Sequence, residues 1–476
     1  MLGRTRRVHF VGVGGIGMSG IAELLVNLGY TVSGSDLKRS ELTDRLAGLG
    51  AAIAIGHRAE HVGDADVVVT SSAVAPDNPE VIEARARQIP VIPRAEMLAE
   101  LMRLRVGIAI AGAHGKTTTT SMVALMLERA GLDPTAVIGG RLSAFGSNAR
   151  LGQGEYMVAE ADESDRSFLV LSPAIAVITN IDREHMEAYG SFERLVEAFA
   201  DFAGRVPFHG AVIACVDDPP VAALLPRLAR RTITYGFRLD ADVAGESPVT
   251  DGQSGRCTVR YQLRGAGAIT GTGQLSIAVP GRHNLQNALA AVAVGLELGV
   301  PFDRIAAALA EFRGAERRYQ TRGTAHGVTV IDDYGHHPTE IGAVLAAARA
   351  GRPGRIIAVF QPHRYSRTRD LLSDFGPALA DADVVVLTDI YSAGEAPVPG
   401  ITIEALADAV RPSVRALHVV RRLTDLPAAV AAIARSGDVV ITLGAGSIGS
   451  AGDHILAALS ASDTSGAAIT KGGSAP

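Results

Sequence analysis

The chain has 476 residues, of which 47% are hydrophobic and 20% charged, and its formal net charge is −5. This length predicts about three domains, and the acidic balance excludes the basic surface that nucleic-acid binding requires. The two cysteines, Cys215 and Cys257, form neither a disulfide framework nor a metal pair. Because no apolar run approaches the ~18 residues of a membrane span, we expect a cytoplasmic α/β enzyme without nucleic-acid or membrane partners.

The start of the chain predicts a strand and a glycine turn rather than a secretory leader. Arg4, Arg6 and Arg7 precede an apolar stretch, as basic residues do in a signal peptide. That stretch contains five glycines between positions 12 and 20 and is followed by Glu23, which is atypical of a hydrophobic leader core.

A first domain, predicted over residues 1–105, begins with a strand, a glycine loop and a helix. The loop glycines are Gly12, Gly14 and Gly17. A second strand ends at Asp36, close to the ~20-residue offset of a dinucleotide fingerprint. Pyrophosphate recognition needs only a glycine turn and a helix N-terminus, so both NAD and other nucleotide diphosphates remain open at this point. The predicted strands of this domain are residues 7–13, 31–35 and 66–74.

Polar residues near the third of these strands admit two interpretations. Ser71 and Ser72 stand toward its carboxyl end, where ligands bind in open α/β sheets, but serines serve equally often in turns and helix caps. His57 and His61 have the spacing of two metal ligands on a helix. Since no third ligand stands nearby in the sequence, we interpret them as surface residues.

A second domain, predicted over residues 106–313, opens on a phosphate-binding loop. The apolar strand Val106–Ala111 runs into glycines, a lysine and threonines, and a helix is predicted from about residue 121 to 130. Backbone N–H groups of such a loop cradle phosphate oxygens at the positive end of the helix. Lys116 is expected on the outer phosphates and the Thr117 hydroxyl on Mg²⁺. The spacing departs from the common pattern at Ile110, where a glycine is usual.

Acidic and amide residues follow the next predicted elements. Glu160 and the carboxylates after it end one strand, and Asp182 and His185 follow another, which gives oxygen-rich ligation beside a triphosphate. Asn284 and Asn287 lie one helical turn apart and face one ligand edge, unless Asn284 only caps its helix. Residues 240–280 are predicted to form a small antiparallel sheet.

A third domain, predicted over residues 314–460, repeats the alternation of strand and helix. Two of its strands end in clusters rich in histidine and arginine, where a substrate pocket is expected. The cluster residues are Asp332, Tyr334, His336, His363, Arg364 and Arg367. The predicted strands are residues 328–332, 355–360, 383–387, 416–420 and 438–443. Residues 461–476 lack periodicity and are predicted to be a disordered tail.

Eight short stretches, in this order along the chain, resemble one family, the Mur ligases. These are the ATP-dependent amino-acid ligases of bacterial peptidoglycan precursor synthesis. The resemblance covers about residues 6 to 460, and it is specific because so many stretches occur in order. They are residues 12–20, 112–120, 160–165, 180–186, 283–287, 317–320, 332–340 and 361–369.

The resemblance implies a Rossmann-like UDP-binding domain, a central P-loop ATPase-like domain and a C-terminal Rossmann-like domain. The implied UDP-sugar contacts are Gly14, Gly15, Ile16, Gly17, Asp36, Ser71 and Ser72. The implied ATP contacts are Gly112, Ala113, His114, Gly115, Lys116, Thr117, Thr118, Asn284, Asn287, Arg318 and Asp332. The implied ligands or close neighbours of Mg²⁺ are Thr117, Glu160 and His185, and the implied amino-acid or carboxylate contacts are Tyr334, His336, His363, Arg364 and Arg367.

The resemblance also implies the reaction. UDP-N-acetylmuramate, L-alanine and ATP are the expected substrates, with an acyl phosphate as intermediate. The expected catalytic residues are Lys116, His185, His336, His363, Arg364 and Arg367, with either His336 or His363 as general base. The carbamylated lysine of many relatives is absent, because no lysine lies between residues 117 and 470.

Two alternative functions are considered beside this interpretation, and the sequence leaves the oligomeric state open. A sister ligase of the family joins a recycled tripeptide to the same sugar nucleotide. A nicotinamide-dependent oxidoreductase explains residues 12–36 but leaves the second phosphate loop and the third domain without a role. The sequence admits a monomer or a weak homodimer.

Overall fold

Three β-sheets flanked by helices form the protein, as seen in a computed structural model that describes residues 3–71, 73–142, 147–264, 268–351 and 354–461. The predicted α/β class is confirmed. By their contacts, residues fall into two compact units: Met1–Pro248, Cys257–Ile277 and Leu285–Ala315 in one, and Val249–Arg256, Ala278–Asn284 and Glu316–Pro476 in the other. The predicted first and second domains therefore lie mostly in one unit. No helix of the described part is both long and apolar enough to span a membrane.

The first sheet is a parallel five-stranded sheet with the strand order β3-β2-β1-β4-β5. Its core strand β1 is buried from Val8 to Val11, which fits its continuous apolar run. The predicted strand over residues 7–13 ends early because Gly12 turns the chain at φ +79°. The elements are β1 (Arg7–Val11), α1 (Ile16–Asn27), β2 (Thr31–Asp36), α2 (Glu41–Gly48), β3 (Ala52–Ile55), β4 (Val67–Thr70), α3 (Pro79–Ala86), β5 (Val91–Pro93) and α4 (Arg94–Met102).

His57 and His61 are largely covered rather than on the surface, which corrects the sequence interpretation. Their side chains are 16% and 20% exposed, and both lie against the fully buried carboxylate of Glu80. Ser35 donates to this carboxylate at 2.6 Å and His9 lies 3.3 Å from it. Burial raises the pKa of Glu80, but these hydrogen bonds outweigh it and lower the pKa to about 2. The cluster ties the segment after β3 to helix α3.

The second sheet has ten strands in the order β15-β14-β13-β12-β11-β10-β6-β9-β7-β8. Its elements up to the tenth strand are β6 (Val106–Ala111), α5 (Lys116–Arg129), β7 (Thr135–Leu142), β8 (Ser147–Arg150), β9 (Tyr156–Glu160) and β10 (Ile175–Ile178). They are followed by α6 (Met186–Tyr189), α7 (Phe192–Gly204), β11 (Ala211–Cys215), α8 (Pro219–Leu224), β12 (Thr232–Gly236), β13 (Val243–Thr250), β14 (Gly255–Leu263), β15 (Ile269–Ile277), α9 (Arg282–Glu297) and α10 (Phe302–Ala310).

Two predictions for this region are wrong in detail. Helix α5 begins at Lys116, five residues before the predicted start at residue 121, because Gly115 completes the turn and the threonines after Lys116 are already helical. Residues 240–280 do not form a separate sheet. Strand β13 pairs in parallel with β12, and β13 to β15 extend the central sheet at one edge.

The third sheet has the strand order β16-β17-β21-β18-β19-β20 and is parallel except for β16, which pairs antiparallel with β17. The five predicted strands are present, and β16 is an additional edge strand. The elements are β16 (Gln320–Ala325), β17 (Val328–Asp333), α11 (Pro338–Arg349), β18 (Ile356–Phe360), α12 (Tyr365–Asp370), α13 (Phe375–Leu379), β19 (Val384–Leu387), α14 (Ile403–Val410), β20 (Leu417–Val419), α15 (Leu426–Ile433), β21 (Val439–Leu443) and α16 (Ala451–Ala461). The predicted tail lies outside the described residues, apart from Ala461 at the end of α16.

Candidate active site

The glycine loop after β1 closes on the carboxylate of Asp36. The N–H of Gly14 donates to Oδ2 of Asp36 at 2.8 Å, and a Cβ at Gly14 would lie 2.9 Å from the same oxygen. Across the point where the strand order reverses, Oγ of Ser71 lies 3.9 Å from a Cβ placed on Gly12. The structure therefore brings Gly14, Asp36 and Ser71 to one sheet edge, where open α/β sheets bind ligands. Ser72 lies outside the described residues.

The same loop leads into helix α1 and toward the second sheet. Gly15 caps α1 and Ile16 is its first residue. Gly17 packs against the guanidinium of Arg94, which leaves no room for a side chain at Gly17. Arg94 also donates to Oδ2 of Asp162 at 3.0 Å. Arg94 thus joins the glycine loop of the first sheet to the acidic segment after β9.

The phosphate loop between β6 and α5 is held by the segment after β10. Gly112 and Gly115 have φ values of +139° and +82°, a region that favours glycine. The carbonyl of His114 accepts hydrogen bonds from the Thr179 hydroxyl at 2.7 Å and the Asn180 side chain at 3.0 Å. The N–H of His114 donates back to Oδ1 of Asn180 at 2.8 Å. These contacts hold the backbone of the loop against the segment after β10.

The side chain of Lys116 points back into its own loop. Its Nζ donates to the carbonyls of Gly112 at 2.5 Å and Ala113 at 3.1 Å, and to Oε1 of Glu163 at 2.8 Å. Burial lowers the pKa of Lys116, but the carboxylate of Glu163 outweighs burial and leaves the pKa raised. Lys116 is therefore charged at neutral pH, with Glu163 as its counter-ion.

Thr117 and Glu160 meet as the sequence predicted. Ile110 of β6 pairs with Glu160 at the end of β9, so the carboxylate lies beside the start of α5. Thr117 Oγ1 donates to Oε2 of Glu160 at 3.3 Å, and the Gly139 N–H donates to Oε1 at 2.6 Å. A hydroxyl and a carboxylate are ligands that Mg²⁺ accepts. Thr118, the next predicted phosphate contact, is buried in the same turn of α5.

A second group suited to a divalent cation surrounds His185. Ligand atoms of Glu163, Glu184 and His185 all lie within 4.8 Å of one another. Oε2 of Glu163 is buried and has no hydrogen-bond partner among the described residues, so this oxygen fits a cation. His185 occupies the left-handed region at φ 55°, which directs the chain after β10 into α6. The predicted metal set of Thr117, Glu160 and His185 therefore falls into two oxygen-rich groups, and its ligand role stays a prediction.

The two predicted adenine contacts lie in the first turns of α9. Asn287 is 8% exposed, and its Oδ1 lies 2.6 Å from a Cβ placed on Gly115, so its amide lies against the phosphate loop. Asn284 donates from Nδ2 to the carbonyl of Pro280 at 2.6 Å, which stabilises the entry into the helix. This contact is not an N-cap, because Asn284 is the third residue of α9 and its side chain donates to a carbonyl rather than accepting from an N–H group. The adenine contacts stay predictions.

In the third sheet, Asp332 is a fully buried acceptor for two arginines. Its Oδ2 accepts from Arg317 and Arg322, each at 3.0 Å, and its Oδ1 accepts from the Thr442 hydroxyl at 2.8 Å. Asp332 therefore fixes the arginines around the ends of β17 and β21. Its predicted contact with ATP stays a prediction.

Arg318 lies over the ring of Tyr334, 5.1 Å from the ring centroid, and its Nη1 lies 3.4 Å from Oε1 of Glu340. Two unusual groups flank this cation. Burial and the charge of Arg318 lower the pKa of His283 to about 4, so His283 is neutral. Burial raises the pKa of Asp333 to about 6, against the opposing effect of Arg318. Arg318 thus lies near a neutral imidazole and a carboxyl whose pKa is raised.

His336 and His363 lie together but in opposite tautomers. Their ring centroids are 5.5 Å apart. Nδ1 of His336 lies 3.1 Å from the carbonyl of Tyr334, which only accepts, so Nδ1 carries the proton and Nε2 the lone pair. Nη1 of Arg367 lies 3.2 Å from Nδ1 of His363 and only donates, so Nδ1 of His363 carries the lone pair. Arg364 caps the start of α12 at φ 70°, beside the same histidine.

Several contacts of the site were not anticipated from the sequence. Each of the residues involved lies at or after the end of a parallel strand, or in a helix that packs there. Their position after a predicted strand was the sequence signal that could have found these residues. That position does not indicate which side chains contact each other. These residues are Arg94, Glu163, Glu184, Tyr391 and Glu395.

Comparisons with known proteins identify the family of the chain. Three family models match the chain: the Mur ligase family catalytic domain over residues 7–105, the Mur ligase middle domain over residues 110–295, and the Mur ligase glutamate ligase domain over residues 317–446. The chain belongs to the Mur ligase family. The resemblance seen in the sequence, including the three-domain α/β architecture, is confirmed.

The individual relatives are similar over nearly their whole length. A UDP-N-acetylmuramate--L-alanine ligase of Geobacter sulfurreducens is 53% identical over 462 residues, which covers 96% of this chain and 99% of the relative. The crystal structure of a UDP-N-acetylmuramate-alanine ligase from Thermotoga maritima matches with a TM-score of 0.80 at 30% identity, covering 96% and 99% of the two chains. A murein peptide ligase from Psychrobacter arcticus matches with a TM-score of 0.70 at 25% identity, covering 95% and 98%.

Proposed function

We propose that the protein is an ATP-dependent ligase that joins L-alanine to the lactyl carboxylate of UDP-N-acetylmuramate. The products are UDP-N-acetylmuramoyl-L-alanine, ADP and phosphate, in cytoplasmic peptidoglycan precursor synthesis. The observation that carries the choice of substrates is the 53% identity, over 96% of the chain, to a relative named for that reaction. The site geometry supplies independent support for the ATP chemistry.

The glycine loop of the first sheet is proposed to hold the UDP-sugar. Pyrophosphate oxygens find backbone N–H groups and a helix N-terminus at Gly15 and Ile16. Asp36 already accepts from Gly14, so this carboxylate holds the loop and remains at the edge where a ribose would bind. The same features fit NAD, but a ligase family and a second phosphate loop argue against the dehydrogenase alternative.

The phosphate loop is proposed to hold ATP. Lys116 turns from Glu163 to the outer phosphates, and Thr117 and Glu160 are suited to hold the magnesium ion. Bound there, Mg²⁺ neutralises part of the triphosphate charge. Glu163, Glu184 and His185 would hold a second divalent cation.

The reaction has two steps. A carboxylate is a poor acyl donor, so an oxygen of the lactyl carboxylate first attacks the γ-phosphorus, and the bond between this phosphorus and the bridging oxygen of ADP breaks. The neutral amine of L-alanine then attacks the carbonyl of the acyl phosphate, the amine gives up a proton, and phosphate leaves. The protein contributes mainly positioning and neutralisation of charge, as in other phosphoryl transfers.

His336 is the better candidate for the base that takes the proton. Its Nδ1 donates to the Tyr334 carbonyl, so in the neutral ring Nε2 accepts a proton without any change of tautomer. In His363 the lone pair on Nδ1 is already used by Arg367. His363, Arg364 and Arg367 are proposed to orient the amino acid, since a guanidinium pairs well with a carboxylate.

Phosphate release is the experiment that tests this proposal. Purified protein receives Mg·ATP and UDP-N-acetylmuramate with L-alanine, D-alanine, glycine, L-serine or the tripeptide L-Ala-γ-D-Glu-meso-diaminopimelate. The expected result is release that requires both the sugar nucleotide and L-alanine, with the L-alanyl product identified by mass. Release with the tripeptide alone would assign the protein to the recycling reaction, and no release with any acceptor would refute the proposal.

A further inference from the structure

The loop after β19 runs alongside the segment that carries His363. The N–H of Tyr391 donates to the carbonyl of Pro362 at 2.8 Å, and the N–H of Arg364 donates to the carbonyl of Tyr391 at 2.8 Å. His363 and Tyr391 form a parallel β-bridge. Since β18 and β19 pair in parallel, these bonds continue the pairing of the strands past their ends. The position of His363 therefore depends on the backbone of Tyr391.

The ring of Tyr391 stacks on the imidazole of His363. The ring centroids lie 5.6 Å apart with an interplanar angle of 16°, and His336 is a second ring neighbour of His363. Tyr391 is 40% exposed, so its ring forms an outer wall of this cluster. A stacked aromatic ring limits rotation of the imidazole about its side-chain bonds, in addition to the contact of Nδ1 with Arg367.

Gly446 leaves the space that the ring of Tyr391 occupies. A Cβ at Gly446 would lie 2.6 Å from Cγ of Tyr391 and 2.8 Å from Oε1 of Gln361, well inside contact distance. The φ of Gly446 is −93° and its ψ is −150°, outside the broad β region, so a side chain at this position is disfavoured by the backbone as well as by Tyr391 and Gln361. A methyl group at this position displaces the ring of Tyr391 or the side chain of Gln361.

Glu395 holds the beginning of helix α12, where Arg364 and Arg367 lie. Its Oε2 accepts from the N–H of Ser366 at 3.0 Å, and its Oε1 accepts from the Ser366 hydroxyl at 2.6 Å. Oε1 also lies 3.9 Å from Nη1 of Arg364. The loop after β19 thus holds His363 through Tyr391, and it holds the start of the helix with the two arginines through Glu395.

We propose that Tyr391 and Glu395 are positioning residues for the amino-acid substrate. Tyr391 holds the His363 ring against Arg367, and Glu395 holds Arg364 at the start of α12, so that these groups meet the carboxylate of the amino acid in one geometry. The inference rests on the proposed function, because it assigns the cluster to L-alanine. The loop after β19 therefore controls the affinity for L-alanine, and other residues determine the affinities for ATP and the sugar nucleotide.

The test compares four variants under steady-state conditions, with each substrate varied in turn. Tyr391→Ala and Gly446→Ala should each raise the KM for L-alanine about tenfold or more, while the KM values for ATP and UDP-N-acetylmuramate stay within twofold. Tyr391→Phe keeps the stacked ring and should stay within about threefold of the wild type. Gly342→Ala is the matched control, since a Cβ there has no neighbour closer than 4.0 Å and the residue lies in helix α11.

Tyr391→Ala and Gly446→Ala change the ring from two different segments of the chain. If both raise the KM for L-alanine alone, the effect is due to positioning of the substrate and not to a general loss of folding. Thermal unfolding of each variant gives the second readout, and Tyr391→Ala decides the result if Gly446→Ala does not fold. An unchanged KM for L-alanine in Tyr391→Ala, or equal changes in all three KM values, would overturn the inference. A wild type without release dependent on L-alanine would instead refute the proposed function.

Discussion

Nζ of Lys116 lies 2.8 Å from Oε1 of Glu163; the side chain of Glu163 is buried and that of Lys116 is 18% exposed. The lysine that we propose for the ATP phosphates is thus paired in this structure with a carboxylate behind its own loop. If Lys116 turned to phosphate oxygens, Glu163 would lose its counter-ion inside the protein, where an uncompensated charge is costly. Glu163 also belongs to the group formed with Glu184 and His185, so a divalent cation there would replace the lysine charge. Binding of the nucleotide and binding of the cation are thus expected to be linked through the carboxylate of Glu163.

The first prediction separates the chemical role of Lys116 from its structural role. Lys116→Met should lower L-alanine-dependent phosphate release by a factor of about 10² or more, because a charge that stabilises the transferring phosphoryl group is lost. It should also lower the free energy of unfolding at pH 7 by about 3–5 kcal/mol, since one partner of a buried ion pair is removed. Urea unfolding and phosphate release measure the two effects.

The double variant Lys116→Met/Glu163→Gln is the control for this prediction. It removes both charges and should recover most of the stability of the wild type, but none of the activity. Burial raises the pKa of Glu163, and loss of Lys116 raises it further, so the stability loss in Lys116→Met should grow as pH rises above the raised folded-state pKa of Glu163 in the wild type. A single variant as stable as the wild type across this range would contradict the ion pair.

The sequence predicted which sheet edge each site residue lies at better than it predicted which side chains contact each other. Thr117 and Glu160 were expected together, and they meet because β6 and β9 are neighbours whose carboxyl ends share one sheet edge. Hydrophobic runs fix such strands, and the position of a residue after a strand then fixes the edge where it lies. The same argument placed the histidines and arginines of the third sheet at an edge.

The partners of these residues depend on contacts that the sequence pattern does not encode. The ATP contact of Asp332 stays a prediction, and the structure adds that Asp332 accepts from Arg317 and Arg322, which becomes visible only when β16 pairs with β17. Strand β16 itself, Gln320–Ala325, is an antiparallel edge strand with few apolar residues, so no apolar alternation marks it. The loop that holds Tyr391 is brought to His363 by the order of strands, which is a property of the whole sheet.

The second prediction concerns the general base. His336→Gln should lower kcat by about 10² to 10⁴ and remove the fall in kcat on the acidic side of the pH profile, because protonation of an imidazole near neutrality no longer matters. His363→Gln should raise the KM for L-alanine but keep that fall. Steady-state rates across the pH range from 5 to 9 provide the comparison.

Hydroxylamine trapping supplies the control for the histidines. Acyl phosphate forms before the amine reacts, so hydroxamate should accumulate in His336→Gln at a rate near that of the wild type when L-alanine is omitted. If the acidic limb disappears in His363→Gln and persists in His336→Gln, the assignment of the base must be exchanged between them.

The third prediction uses Asp218, which caps helix α8. Burial raises the pKa of this carboxyl to about 6, with a further contribution from Asp182. Its folded pKa thus exceeds the unfolded value, so the native state binds more protons and stability falls as pH rises from about 4 to 6. Asp218→Asn should flatten this dependence and stabilise the protein at pH 7, by at most about 3 kcal/mol at ~1.4 kcal/mol per pKa unit.

The substitution Asp218→Asn retains the local hydrogen bonds, so the comparison isolates the effect of the ionisable carboxyl. Both Val221 and Ile181 donate their N–H groups to Oδ1, the oxygen that asparagine keeps. Urea unfolding of both proteins between pH 4 and pH 8 measures the difference. Parallel stability curves for the two proteins would show that Asp218 titrates normally in the folded state.

The fourth prediction is that Lys116 and a divalent cation compete for Glu163. Without nucleotide, Lys116 neutralises Glu163, so Mn²⁺ should bind weakly to the wild type and more tightly, by about tenfold, to Lys116→Met. With a non-hydrolysable ATP analogue, Lys116 turns to the phosphates and Glu163→Gln should bind fewer Mn²⁺ ions than the wild type. Electron paramagnetic resonance of free Mn²⁺ counts the bound ions without depending on catalysis.

Matched variants assign the two cation groups separately. Glu160→Gln should weaken the ion that arrives with the nucleotide, because it removes the carboxylate beside Thr117. Glu197→Gln changes an exposed carboxylate on helix α7 and should bind Mn²⁺ as the wild type does. Equal Mn²⁺ affinities of the wild type and Lys116→Met without nucleotide would mean that the lysine does not block the second group. In that case the link between Lys116 and the cation would have to be abandoned, while its role at the phosphates would stand.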